Sequence, residues 1–219
     1  MWKRTRQSYR GKQSPHDKSV KLADLEMLQL ASAAREICLK YLDESGFSLW
    51  SEVSYTWAQR GQQKRLEQTR RRGKRLSILG LLQPQDRFDY SLAVGSFTSE
   101  SYIQMIDWEA QQALVRLLKT GQITVVVQDN GPIHTSLLVR ERIPAWESKG
   151  LYLFFLPKYC SEMNPIEGEW HHLKSDEIAG RMFEHEYDLA MAVIAGVEAR
   201  GQRGRYTTER FRFNSGSQP

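Results

Sequence analysis

Apolar positions along this chain switch between two periods, and the switches mark out its elements. From Lys21 to Ala34 the leucines Leu22, Leu25, Leu28 and Leu30 predict a short helix after a polar, basic opening. Apolar runs with β-type composition follow at 36–43, 48–57 and 75–82, and again at 87–94 after the turn Gln83-Pro84-Gln85-Asp86. The pattern then becomes helical. Ile103, Ile106, Ala110, Ala113, Leu114 and Leu117 line one face of a helix that Ser99 caps and Gly121 ends. A continuous apolar strand is expected at 123–129, then a helix from about Thr135 that Pro144 should kink or interrupt. Leu151 to Leu156 predicts a further strand, stopped by Pro157, with helices after Asn164 and over about 184–199. The succession of antiparallel strands, helix, strand, helix, strand and two helices predicts an α/β domain.

Three acidic residues stand at the ends of these apolar runs or just beyond them. Asp43 closes Ile37-Cys38-Leu39-Lys40-Tyr41-Leu42, Asp129 follows Ile123-Thr124-Val125-Val126-Val127-Gln128, and Glu167 lies in Asn164-Pro165-Ile166-Glu167. Carboxylates at the carboxyl ends of strands stand where α/β sheets build their sites. Three that converge would supply oxygen ligands to two hard divalent cations, the arrangement of two-metal phosphoryl transfer. Each also has a plainer reading. Aspartates after strands commonly accept from turn amides. Asn164 as N-cap, Pro165 at the first helical position and Glu167 three residues after the cap make a capping box. On that helix Ile166, Trp170 and Leu173 should face the core, with Glu167, His171 and Lys174 on another face. Glu162 and Glu169 compete with Glu167 for the third acidic position. His134 either orients a carboxylate or touches a phosphate, or it caps the next helix. Phe47, Trp50, Tyr55 and Trp57 read as core aromatics. His171 and His172 lack the spacing of a zinc site, and no glycine loop of phosphate-cradling type occurs.

At 219 residues, 40% hydrophobic and 26% charged, the chain has the composition of one ordinary globular domain. Its apolar runs are too short to span a bilayer, and the basic start lacks a secretory signal's apolar stretch. Cys38 and Cys160 form neither a disulfide framework nor a zinc spacing, which makes a reducing, cytoplasmic compartment the simplest reading. The net charge of +5 conceals a division. Residues 1–21, 60–75 and 200–212 carry +6, +7 and +4, so the rest of the chain carries 5 − 17 = −12. An acidic body with basic segments suits a metal site flanked by phosphate-binding arms.

Three blocks carry a specific resemblance. Asp43-Glu44-Ser45-Gly46-Phe47, Gln128-Asp129-Asn130-Gly131-Pro132-Ile133-His134-Thr135-Ser136 and Leu156-Pro157-Lys158-Tyr159-Cys160-Ser161-Glu162-Met163-Asn164-Pro165-Ile166-Glu167-Gly168-Glu169-Trp170 resemble the catalytic blocks of mariner-superfamily DDE transposases. The closer likeness is to that superfamily's bacterial insertion-sequence branch. It covers about residues 34–214 and implies a ribonuclease H-like fold, a mixed five-stranded sheet with helices on both faces. Asp43 would lie on the first strand, Asp129 after the fourth, and Glu167 on the helix beyond the fifth. Two details depart from the pattern: the 167 − 129 = 38 residue separation is slightly long, and Cys160-Ser161 replaces a common Ser-Pro pair. Family members also carry helix-turn-helix domains ahead of the catalytic domain, and only some 35 residues precede the first block here.

The resemblance therefore implies the catalytic half of a transposase, a truncated copy or one of two reading frames. Residues 1–33 would be a basic arm or linker, 34–199 the catalytic domain and 200–219 a basic tail. Asp43, Asp129 and Glu167 would hold two Mg²⁺ or Mn²⁺ ions, with Asn130 and His134 supporting them. Arg60, Lys64, Arg65, Arg70, Arg71, Arg72, Lys74, Arg75, Arg203 and Arg205 would contact the backbone of double-stranded DNA, both transposon inverted repeats and target. A homodimer, a separate helix-turn-helix half and a nucleoid-associated bacterial setting are further expectations. The alternatives are a hydrolytic nuclease of the same fold without strand transfer, and an inactive DNA-binding remnant.

Overall fold

Continuous apolar runs become the central strands. The computed structural model describes residues 10–50, 60, 61, 65 and 67–213. Strand β1 (Ile37–Phe47) pairs antiparallel with β2 (Leu76–Gln83), which pairs antiparallel with β3 (Arg87–Val94). On the other side of β1, β4 (Ile123–Gln128) and then β5 (Leu151–Phe155) run parallel to it. A last strand, β6 (Thr207–Arg210), lies parallel to β3. The mixed sheet has the order β5-β4-β1-β2-β3-β6.

Period-two alternation divides β1 between two cores. Leu39, Tyr41 and Phe47 face one core, where α1 (Pro15–Ala33), α4 (Ile166–His172) and α5 (Glu186–Gly204) pack. Leu42 faces the other, beneath α2 (Ser99–Thr120) and α3 (Leu137–Glu147). With both faces covered, the central strand β2 is buried from Leu76 to Leu82. Helices on both faces of a mixed sheet agree with the expected fold class, but among the described residues the sheet has six strands rather than five. The sixth comes from residues expected as a tail. It pairs along β3, whose unpaired edge would otherwise expose N–H and C=O groups.

Other boundaries shift for local reasons. β1 does not stop at Asp43, because Glu44, Ser45 and Gly46 remain paired with Leu79, Ile78 and Ser77 of β2. Ladder pairing overrides the weak strand preference of those residues. Of the strand expected at 48–57, residues 51–59 lie outside the described residues, while Trp50 bridges to Met182. Helix α1 starts at Pro15, six residues before Lys21, because Ser14 caps it by accepting from Asp17 N at 3.3 Å. Its Leu25 is buried, so the region expected as an arm is docked on the sheet from there. Thr98, not Ser99, caps α2, in a reciprocal box with Ser101. Helix α3 begins at Leu137 and continues through Pro144. Just beyond that proline the buried Trp146 anchors the last turn, its Nε1 donating to Asp107 at 2.7 Å. α4 continues into a π-helical turn at Leu173–Ile178, and α5 extends past 199 to Gly204.

Candidate active site

The parallel pairing of β1 and β4 ends at the rung Tyr41–Val127. Asp43 and Asp129 each stand two residues beyond that rung, where the two strands part. A crevice at the carboxyl ends of parallel strands is the usual place for an α/β site. Asp43 remains on β1, opposite Gly80 of β2. Gly80 has a reason to be glycine, since a Cβ there would lie 2.5 Å from the Trp170 ring. The bare backbone lets the indole lie across β2 and donate Nε1–H to Asp43 Oδ2 at 2.8 Å.

Asn164 fixes the start of the helix that carries Glu167. The expected capping box between Asn164 and Glu167 is not formed, because the buried Asn164 side chain points into the fold. Its Nδ2 donates to the Leu42 carbonyl at 3.0 Å, and its Oδ1 accepts from Ile166 N at 3.4 Å. The start of α4 is thereby tied to β1 one residue before Asp43. Ile166, Trp170 and Leu173 are buried, and Glu167 is exposed. Asp43 and Glu167 line one cleft of about 620 Å³ with Ser48, Arg72, Arg75 and Lys174. The two competitors are engaged elsewhere. Glu169 accepts from Nε and Nη2 of Arg200, both at 3.0 Å, and from the Tyr206 hydroxyl at 2.9 Å. Glu162 accepts from Lys18 at 2.5 Å and from Gln13 at 2.9 Å.

Asp129 is held differently. Its Oδ1 accepts from Gly131 N at 2.9 Å and pairs with His134 Nδ1 at 2.7 Å. The His134 ring is buried against Tyr102, with centroids 4.8 Å apart, and among the described residues its Nε2 has no hydrogen-bond partner. With a carboxylate as acceptor, Nδ1 is the ring nitrogen that carries a proton in this contact. Asn130 Nδ2 donates to the Leu156 carbonyl, closing the loop onto the end of β5.

Electrostatics separate the two aspartates. Burial first, then the negative charge of Glu167, pushes the Asp43 carboxyl up to about 7. The hydrogen bond from His134 holds Asp129 below the usual carboxylate range. A buried acid that repels two neighbouring acids is short of positive charge, and an all-oxygen donor set suits a hard divalent cation. The residues therefore fit such an ion in kind. Among the described residues no three His, Cys, Asp or Glu side chains are gathered closely enough to hold one.

The basic residues divide. Arg70, Arg71, Arg72, Lys74 and Arg75 are exposed on the connection entering β2, and Arg72 and Arg75 reach the carboxylate cleft. Glu186 at the start of α5 straps this segment down, accepting from Lys74 N and from Arg71, both at 2.8 Å. Arg60 and Arg65 are exposed, and Lys64 lies outside the described residues. Arg203 pairs with Glu177, and Arg205 ends α5 in the left-handed conformation; neither lines the cleft. The contact of Trp170 with Asp43 and the Asn164 tie join residues far apart in sequence and carry little local signature. The only signals were a tryptophan N–H that needs an acceptor when buried, and an amide at a helix start.

Residues 39–190 match the family described as DDE superfamily endonuclease. No curated protein matches the chain. Among solved structures, it is similar to the Mos1 mariner paired-end complex with Mg, at TM-score 0.64 and 17% identity over 93% of this chain and 62% of that one. The Mos1 paired-end complex with the left transposon end gives TM-score 0.58 and 16% identity, covering 94% of this chain and 65% of that one. The isolated catalytic domain of Mos1 gives TM-score 0.53 and 12% identity, covering 93% and 95%. The fold is thus the ribonuclease H-like one of that catalytic domain. The chain spans just under two thirds of the longer Mos1 chains.

Proposed function

The chain belongs to the DDE superfamily of endonucleases, and on that premise we propose that it is a transposase catalytic domain of the bacterial insertion-sequence branch. It cuts double-stranded DNA at transposon ends and joins the freed 3′ hydroxyl to target DNA. The observation that supports this most is the pair of aspartates, each two residues past the last β1–β4 rung, with Glu167 held at the same opening by Asn164.

In this reading Asp43, Asp129 and Glu167 hold two Mg²⁺ or Mn²⁺ ions. Such ions lower the pKa of the attacking water or hydroxyl and neutralise charge on the leaving oxygen. The chain's own residues prepare the site. Trp170 fixes one oxygen of Asp43 by donating Nε1–H to it. Gly131 and His134 occupy Oδ1 of Asp129 and leave Oδ2 for a cation. Arg72, Arg75 and Lys174 line the cleft as contacts for non-bridging phosphate oxygens, where positive charge offsets the substrate's own. The partners are inverted-repeat and target DNA, a second copy of the chain, and a helix-turn-helix half that reads sequence. The setting is the bacterial nucleoid. Among the described residues no helix is long and apolar enough to cross a membrane.

A strand-transfer assay tests the proposal, using a pre-cleaved duplex from the DNA flanking the gene, a supercoiled target plasmid and Mn²⁺. Joined products that vanish in Asp43→Asn support it. Nicking without joined products would reduce the protein to a hydrolytic nuclease, and no products at all would leave a DNA-binding remnant.

A further inference from the structure

A second groove lies on the Asp129 side of the site, away from the Arg72–Arg75 cleft. It has a volume of about 720 Å³ and runs between the start of α1 and the loop after β5. Asn130, the neighbour of Asp129, forms part of its wall. Its floor is apolar, from Phe154, Leu156 and Pro157, and its rim carries Lys12, Lys21 and Lys158 against the single acid Asp17. Each of two aromatic rings has a lysine over it. Lys21 Nζ lies 4.5 Å from the Phe154 centroid, and Lys12 Nζ lies 5.6 Å from that of Tyr159.

Tyr159 is unusual in two respects. It is 51% exposed, and its backbone sits at φ +63°, a left-handed conformation that a bulky residue adopts at a cost. Such a conformation persists only where the surroundings impose it. Here Gln13 at the foot of α1 donates Nε2–H to the Tyr159 carbonyl at 2.7 Å and also reaches Glu162. Lys18 ties Gln13 and Glu162 together from the next turn. The wall between helix and loop is therefore preformed, and it presents an aromatic face that the local backbone preference would not choose.

Lysines on a rim, aromatic faces beneath and an apolar floor are what an unpaired nucleic-acid strand requires. Phosphates meet the cations while bases stack on rings. Building on the nuclease reading above, we propose that this groove takes a short unpaired DNA strand leading away from Asp129, with one base stacked on Tyr159. Cutting at the end of a duplex would then be assisted by fraying, and a substrate with a single-stranded extension would bind better than a blunt one.

The test measures binding by fluorescence anisotropy, in Ca²⁺ to prevent cutting, for a blunt duplex and for the same duplex with a short single-stranded extension. Wild-type protein should bind the extended duplex more tightly. Tyr159→Ala should remove that advantage, weakening extended-duplex binding roughly 5- to 150-fold, the value of one base–aromatic stack, with less than twofold change for the blunt duplex. Tyr159→Gly provides the folding control, since glycine accepts the left-handed backbone while still lacking the ring, and it should behave like the alanine variant. Tyr159→Phe should bind as wild type. An extension that adds no affinity, or a tyrosine change that weakens both duplexes equally, overturns the groove assignment and leaves the nuclease reading standing. Failure of the wild type to bind either duplex overturns both.

Discussion

Asn164→Ala separates what holds the candidate site from what holds the fold. The side chain makes one good hydrogen bond, Nδ2 to the Leu42 carbonyl at 3.0 Å, and one long one from Ile166 N at 3.4 Å. It is buried, so water does not replace it. At about 1 kcal/mol for the good bond and less for the long one, truncation should cost roughly 1–2 kcal/mol of stability. The effect on chemistry should be larger. Glu167 is three residues along the helix that Asn164 anchors, and a misplacement of about 1 Å can cost on the order of 10²-fold in rate. Urea unfolding gives the first number. Single-turnover cleavage in saturating Mn²⁺, under conditions where the variant is folded, gives the second. A tenfold to hundredfold slower cut is expected. Asn164→Asp should not rescue it, because it places an acceptor against the Leu42 carbonyl. An alanine variant that loses the expected stability yet cuts at the wild-type rate would refute the anchoring argument.

Further outcomes follow from other contacts. Lys40 Nζ is buried 2.8 Å from Glu109 and 3.5 Å from Asp89, so Lys40→Met should cost about 3–5 kcal/mol in urea unfolding. Adding Asp89→Asn and Glu109→Gln should restore part of that loss, and an unaffected single variant would contradict the reading. Asp43 holds its proton to about pH 7 when folded but only to its ordinary 3.8 when unfolded, so the metal-free fold binds more protons in between. Its stability should therefore fall as pH rises from about 4 to about 7, by up to about 4 kcal/mol at 1.36 kcal/mol per unit. Thermal melts in chelator should show that fall, whereas Mg²⁺ or Asp43→Asn should flatten it. In a salt titration of DNA binding, replacing Arg70, Arg71 and Arg72 by Ala should flatten the log–log slope by roughly 0.9 for each phosphate no longer neutralised. The share of Arg71 should be the smallest, since Glu186 already neutralises it, and an unchanged slope would remove this segment from the interface.

Sequence patterning is most legible where a residue's role is local. The apolar runs of β2 and β4 announce strands because burial on both faces demands them, and Asp43 and Asp129 stand out because a charge follows each run. Features that depend on distant partners were hidden. Nothing near Thr207 indicates that it will line up with Arg87 to form a sixth strand. Lys40 looks like a surface lysine until Asp89 and Glu109, far along the chain, enclose it. The motif Asn164-Pro165-Ile166-Glu167 favoured a capping box on local grounds, and the Leu42 carbonyl claimed the asparagine instead. The pairing of Glu162 with Lys18 and of Glu169 with Arg200 likewise joins residues far apart in the chain.

The central claim is that Asp43, Asp129 and Glu167 form one divalent-cation site. Calorimetric titration of Mn²⁺ into the wild type and into Asp43→Asn, Asp129→Asn and Glu167→Gln tests it most directly, with urea unfolding to show that each variant is folded. Two ions bound per chain in the wild type, and at least one lost in every variant, is the predicted result. Folded variants that bind Mn²⁺ as the wild type does would contradict the claim.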